Sequence, residues 1–89
     1  MSGIRMYCTA ACPYCIAAER LLRSKGVAEI NKIRVDLQPD RRAVMMAESG
    51  RRTVPQIWIG DHHVGGFDEL SALDRAGQLD RLLHSGAQR

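Results

Sequence analysis

The chain has 89 residues, and its 13 Lys and Arg against 10 Asp and Glu leave a formal net charge of +3. That length suits one domain with a small core. Residues 1–89 are therefore read as a single domain, with its core from about 4 to 84 and a frayed tail at 85–89. So small a charge excess, with the Arg residues scattered and no basic stripe interleaved with aromatics, gives no nucleic-acid footprint. No run approaches the roughly 18 apolar residues of a membrane span, and Met1 to Met6 holds no apolar leader core. A cytoplasmic monomer is expected.

Ile4-Arg5-Met6-Tyr7-Cys8 reads as a first strand, short and largely apolar. Thr9-Ala10-Ala11 connects it to a helix from Pro13 to Lys25, where Ala18, Leu21 and Leu22 share a face and Gly26 ends the run. Ile33 and Val35 alternate with Lys32, Arg34 and Asp36, the pattern of an edge strand. Asp40 is placed to cap a second helix reaching about Ser49, with Met45 and Met46 as core fillers. Val54 to Ile59 is a third strand opened by Pro55, a position a ladder tolerates. Gly60-Asp61 suits a type II′ hairpin turn. His62-His63-Val64 returns as a strand whose two His are expected to be solvated or satisfied, and Gly65-Gly66 breaks it. Asp68 then caps a helix carrying Leu70, Ala72 and Leu73; Gly77 interrupts it, and Leu79, Leu82 and Leu83 mark a last short helix. The order β-α-β-α-β-β-α gives an α/β fold: a four-stranded mixed sheet with helices on both faces.

The chemistry centres on Cys12-Pro13-Tyr14-Cys15. A C-x-x-C at the junction of a strand and a helix, in a chain without export signals, is a redox motif rather than a structural staple. Cys12 falls at the helix start, where unpaired N–H groups and the helix dipole favour a thiolate, so it is the expected nucleophile. Pro13 fits the first helical position because its missing N–H is not needed there. Cys15, inside the first turn, can close back on Cys12 and resolve a mixed disulfide. Tyr14 offers an aromatic face to a substrate. The total of three cysteines is odd, and Cys8, ending a buried strand, is expected to be inert.

These features, together with Thr53-Val54-Pro55 and Gly65-Gly66-Phe67-Asp68, resemble the motifs of dithiol glutaredoxins, especially the short bacterial form, over nearly the whole chain. The resemblance implies a thioredoxin-like fold and a glutathione-dependent thiol–disulfide oxidoreductase. Cys12 and Cys15 would be catalytic, reducing protein disulfides and glutathionylated mixed disulfides. Pro55 matches a cis-proline facing the cysteines. The backbone of Val54 matches the strand that pairs with the cysteinyl part of glutathione, with Thr53 completing that edge. Gly66, Phe67 and Asp68 match the place where the γ-glutamyl end docks at a helix start, and Tyr14 flanks the tripeptide. Glutathione would be a co-substrate, regenerated indirectly by glutathione reductase, with no tightly bound cofactor and no metal.

The chain departs from that pattern at Thr9, where many relatives carry a Lys that meets a glutathione carboxylate. Arg42, Arg51 or Arg52 are the candidates to replace it. Cys8 stands where Thr is common, and Phe67 where some members have Cys. Two other readings are open. One is a thioredoxin-like reductase served by a flavoprotein; the sequence between the cysteines argues against it. The other is a non-catalytic iron–sulfur or metal carrier, which Pro13 and Tyr14 disfavour. The spacing Cys8-x3-Cys12-x2-Cys15 also matches the cluster motif of radical S-adenosylmethionine enzymes, whose barrel scaffolds are far longer than this chain.

Overall fold

The structure, a computed structural model, describes residues 3–87. Four strands, β1 (Ile4–Cys8), β2 (Ile30–Arg34), β3 (Gln56–Ile59) and β4 (His62–Gly65), form one sheet in the order β2-β1-β3-β4. β1 and β2 run parallel, joined through α1 (Pro13–Ser24), while β3 is antiparallel to both β1 and β4. α2 (Pro39–Ser49) links β2 to β3, and α3 (Phe67–Arg75) and α4 (Leu79–Ala87) follow β4. This is the expected order, with the final helix split. The tail expected to fray from residue 85 lies partly on α4; residues 88–89 lie outside the described residues.

The period-two alternation of the strands sorts the core into two layers. Ile4 and Met6 of β1 and Ile57 and Ile59 of β3 point to one face, where Ala18 and Leu22 of α1, Leu70 of α3 and Leu79 of α4 cover them. Tyr7 and Trp58 point to the other face with Ile33 and Val35, and Met45 of α2 packs there. Tyr7 and Trp58 meet edge-on at 5.6 Å between ring centroids, and the Arg5 guanidinium lies 4.7 Å from the Trp58 ring. Met45 fills the core as expected, but Met46, one residue round the helix, is exposed.

Four local expectations need correction. β3 opens at Gln56 rather than at Val54 and Pro55, because its ladder with β1 begins with Gln56 opposite Tyr7 and the cis Val54–Pro55 segment precedes it. β2 is the edge strand anticipated, yet it spans Ile30–Arg34 rather than residues 32–36, because pairing with β1 begins at Ile4 opposite Ile30. Val35 still donates its N–H to the Cys8 carbonyl at 3.0 Å; beyond it Asp36 turns back to grip Arg34. Asp40 does not cap α2: Pro39 takes the first helical position, Gln38 is the N-cap, and Asp40 sits in the first turn, where its charge suits the helix dipole. Nor does Asp68 cap α3, whose N-cap is Gly66. There Glu69 reaches back, and its Oε1 accepts the Gly66 N–H at 2.6 Å, the return half of a capping box.

The hairpin between β3 and β4 turns at Gly60, with φ +58°, followed by Asp61 at negative φ, in keeping with the type II′ reading. The register of β4 then slips: Trp58 stands opposite His63, but Ile57 opposite Gly65, leaving Val64 as the extra residue of a bulge. This slip brings the Gly65-Gly66 corner beside the segment that enters β3.

Candidate active site

Cys12 is the N-cap of α1. Its extended backbone (φ −118°, ψ 103°) is the conformation a residue preceding proline prefers, and Pro13 opens the helix without a wasted donor. The Sγ of Cys12 accepts the backbone N–H of Cys15 at 3.2 Å, so the sulfur itself serves as the capping acceptor. A negative sulfur gains from this placement, at the positive end of the helix dipole. The same Sγ lies 3.8 Å from the Val54 carbonyl. The loop before it is tied down at Ala10, whose N–H donates to Asp36 Oδ2 at 3.4 Å. The Arg34 guanidinium, bonded to both oxygens of Asp36, holds that carboxyl down at about 2.

Cys15 lies behind Cys12 and is 4% exposed. Burial, and then its hydrogen bond to the Cys12 sulfur, push its thiol well above the usual cysteine value. Cys15 is thus the more buried partner, and its backbone N–H points at the Cys12 sulfur. Cys8 completes a cluster of the three buried sulfurs with Val54 packed against it. Its thiol is also raised, by burial first, against the opposing charges of Lys32 and Arg34. All three cysteines are free. Cys8 and Cys15 line a groove that opens on the flank of α1 away from Tyr14.

The other groove, of about 300 Å³, is lined by Val54, whose carbonyl is the one 3.8 Å from Cys12 Sγ. One wall is Thr53, Val54 and Pro55, with the Val54–Pro55 bond cis; the other is Gly66, Phe67, Asp68 and Glu69 at the start of α3. Tyr14, 62% exposed, and Phe67 stand at one end with ring centroids 6.4 Å apart. Tyr14, Thr53, Val54, Pro55, Gly66, Phe67 and Asp68 therefore border one groove, while Cys12 lies behind its Val54 wall. Of the Arg trio, Arg51 lines the groove, 3.0 Å from Glu69 Oε1. Arg42 instead donates to the Arg52 carbonyl at 2.9 Å, and neither it nor Arg52 borders the groove.

Sequence reasoning missed two participants. Glu69 joins Arg51 to the N-cap of α3, and the N–H of Gly66 and then the Arg51 guanidinium hold its carboxyl below the usual glutamate value. Its signal was available: a Glu three residues after a helix-opening Gly. Gln56, 0% exposed, is the buried polar side chain at the start of β3; a lone amide in the apolar run from Val54 to Ile59 was the clue. Among the described residues, no group of three or more His, Cys, Asp and Glu side chains is arranged to hold a metal ion. No helix there is long and apolar enough to cross a membrane.

A helix-start dithiol that faces a cis X-Pro segment, on a sheet of this topology, defines the thioredoxin-like class of redox proteins. Comparison with known proteins narrows the class. The glutaredoxin family model matches residues 4–64. A glutaredoxin of Pseudomonas aeruginosa is 53% identical over 83 residues, covering 93% of this chain and 98% of its own. The solution structure of a glutaredoxin from Brucella melitensis superposes with a TM-score of 0.83 at 49% identity, covering 97% of this chain and 92% of that one. The crystal structure of a buckwheat glutaredoxin–glutathione complex superposes at 0.87 with 28% identity, covering 97% and 80%. The chain belongs to the glutaredoxin family, whose members are thiol–disulfide oxidoreductases.

Proposed function

We propose that this chain is a glutathione-dependent dithiol oxidoreductase that reduces protein disulfides and glutathionylated proteins, with Cys12 as nucleophile and Cys15 as resolving thiol. The observation that carries the reading is the bond from the Cys15 N–H to Cys12 Sγ. It stabilises negative charge on the attacking sulfur and not on its neighbour. The Cys12 thiolate attacks one sulfur of the substrate disulfide and expels the other as a thiolate, which takes a proton from solvent. Cys15 gives up its proton and attacks Cys12 Sγ, releasing the reduced substrate and closing the Cys12–Cys15 disulfide. One glutathione thiolate then attacks Cys12 Sγ and frees Cys15. A second attacks the glutathionyl sulfur, leaving glutathione disulfide and the Cys12 thiolate. Two glutathiones thus supply the two electrons. A substrate that is already glutathionylated needs only Cys12.

The groove suits a tripeptide with two carboxylates. Its Thr53-Val54-Pro55 wall offers main-chain groups for an extended peptide. The N-terminus of α3 at Gly66, Phe67 and Asp68 favours the γ-glutamyl carboxylate. Arg51 is the cation for the glycyl end, and Tyr14 flanks the cysteinyl part. That a family member was solved as a glutathione complex supports the choice of thiol. The whole chain would act as one monomeric unit in the cytoplasm, drawing on a pool kept reduced by glutathione reductase. The test is glutathione-coupled turnover of a glutathione mixed disulfide and of a protein disulfide. Cys12→Ser should lose both activities; Cys15→Ser should keep the first and lose most of the second. Full activity of Cys12→Ser on either substrate would overturn the assignment.

A further inference from the structure

Gln56 is fully buried at the first position of β3, on the sheet face that carries Tyr7 and Trp58. A buried amide is destabilising unless its hydrogen bonds are made, and here they are made to two separate segments. The Nε2 donates to the Thr53 carbonyl at 3.0 Å and to the Thr53 hydroxyl at 3.4 Å. The Oε1 faces His63 Nε2 at 2.8 Å. Because Nε2 of Gln56 already serves Thr53, its oxygen must accept, and the imidazole is the donor at Nε2. His63 is fixed in turn by stacking on Trp58, with ring centroids 4.4 Å apart. His63 stands in register opposite Trp58, and the strand slip that follows at Val64 sets the position of the Gly65-Gly66 corner. A single amide therefore ties the Thr53–Val54 wall of the groove to the strand that delivers the opposite wall.

We propose that Gln56 is a positioning residue, held by His63, that fixes the Thr53–Val54 edge in the geometry that grips the glutathionyl group. The inference rests on the glutathione reading above. Gln56 does not touch the groove; it acts through Thr53, whose carbonyl and hydroxyl it orients. A loosened edge presents its main-chain groups in many orientations, so bound glutathione must order it at the expense of affinity. The Cys12 sulfur is held by α1 and keeps its reactivity.

The test compares Gln56→Leu, which keeps the volume, with His63→Phe, which keeps a ring on Trp58 but removes the donor. A third variant, His63→Gln, restores an N–H near the Nε2 position. With a saturating glutathionylated substrate, KM for glutathione should rise about five- to tenfold in Gln56→Leu and His63→Phe. Maximal rate should stay within about twofold, the split expected when a binding contact and not a chemical group is lost. The double variant should be no worse than Gln56→Leu alone, because both changes break one chain of bonds, and His63→Gln should return KM toward that of the parent. Should Gln56→Leu not fold, His63→Phe against His63→Gln decides the matter. Unchanged KM values, or a fall in maximal rate that tracks a lower melting temperature at constant KM, would reduce Gln56 to a packing role and overturn the inference. A parent protein that uses no glutathione would sink the functional reading and this inference together; a parent that uses it, with variants that match it, would sink the inference alone.

Discussion

Replacing Gly65 with Ala should damage stability and the groove together, and the structure gives the size of the effect. Gly65 sits at φ +111°, a backbone region almost closed to residues with a Cβ. A Cβ built there would stand 2.7 Å from Glu69 Oε1 and 3.2 Å from Arg51 Nη1. The carboxylate is the end of a flexible side chain and can retreat, but only by leaving the Gly66 N–H and Arg51. Backbone strain of about 1–3 kcal/mol adds to the lost capping bond. That bond is charge-assisted, but its Glu69 acceptor is 44% exposed at the side chain, so its share is nearer 1 kcal/mol. The sum is a loss of about 2–4 kcal/mol in unfolding free energy, read from urea denaturation. KM for glutathione should rise with it, since Arg51 loses its anchor. Gly66→Ala is the control for geometry without strain: its φ is −98°, but a Cβ would meet the Pro55 carbonyl at 3.3 Å. It should narrow the groove and raise KM at a much smaller stability cost. A Gly65→Ala protein with parental stability and parental KM would refute this reading of the corner.

Three further outcomes are expected. Cys8→Ala should leave turnover of a glutathione mixed disulfide unchanged, and alkylation of the folded parent, mapped by mass spectrometry, should find Cys12 well before Cys8; equal rates would mean the Cys8 thiol is neither buried nor raised. Arg51→Ala should raise KM for glutathione and flatten its salt dependence, whereas Arg42→Ala and Arg52→Ala should do little, because neither side chain borders the groove; an unchanged Arg51→Ala would leave the groove relying on backbone groups alone. Glu69 has a folded value below its unfolded one, so its stabilising contribution is complete above the ordinary glutamate value of about 4.3 and fades as pH falls through the lower folded value. The stability gap between parent and Glu69→Gln should therefore be widest near neutral pH and close in acid, and a gap that stays constant down to pH 3, roughly one unit below that ordinary value, would contradict the assignment.

The parts of the molecule legible in the sequence were those set by local rules. Strand alternation separated the buried Ile33 and Val35 from Lys32 and Arg34, the prolines and glycines punctuated the elements, and Pro13 marked the start of α1 one residue after Cys12. The missed features depend on contacts between distant residues. Lys32 to Asp36 has strand periodicity, but the limits of β2 are set by which residues β1 can pair. Asp40 and Asp68 have the chemistry of caps, yet Pro39 and the reach of Glu69 to Gly66 decided where α2 and α3 begin. The three Arg candidates were equivalent as sequence; only the packing of Arg51 on Glu69 and of Arg42 on the Arg52 carbonyl distinguished them. Gln56 looked like a polar interruption in a strand, because its partners, Thr53 and His63, meet only once the hairpin folds.

The most direct test of the central claim is the covalent intermediate. Cys15→Ser, incubated with glutathione disulfide and mapped by peptide mass spectrometry, should carry one glutathione per chain, on Cys12, and added glutathione should release it. An adduct confined to Cys8, or the absence of any adduct on a folded protein, would contradict the account.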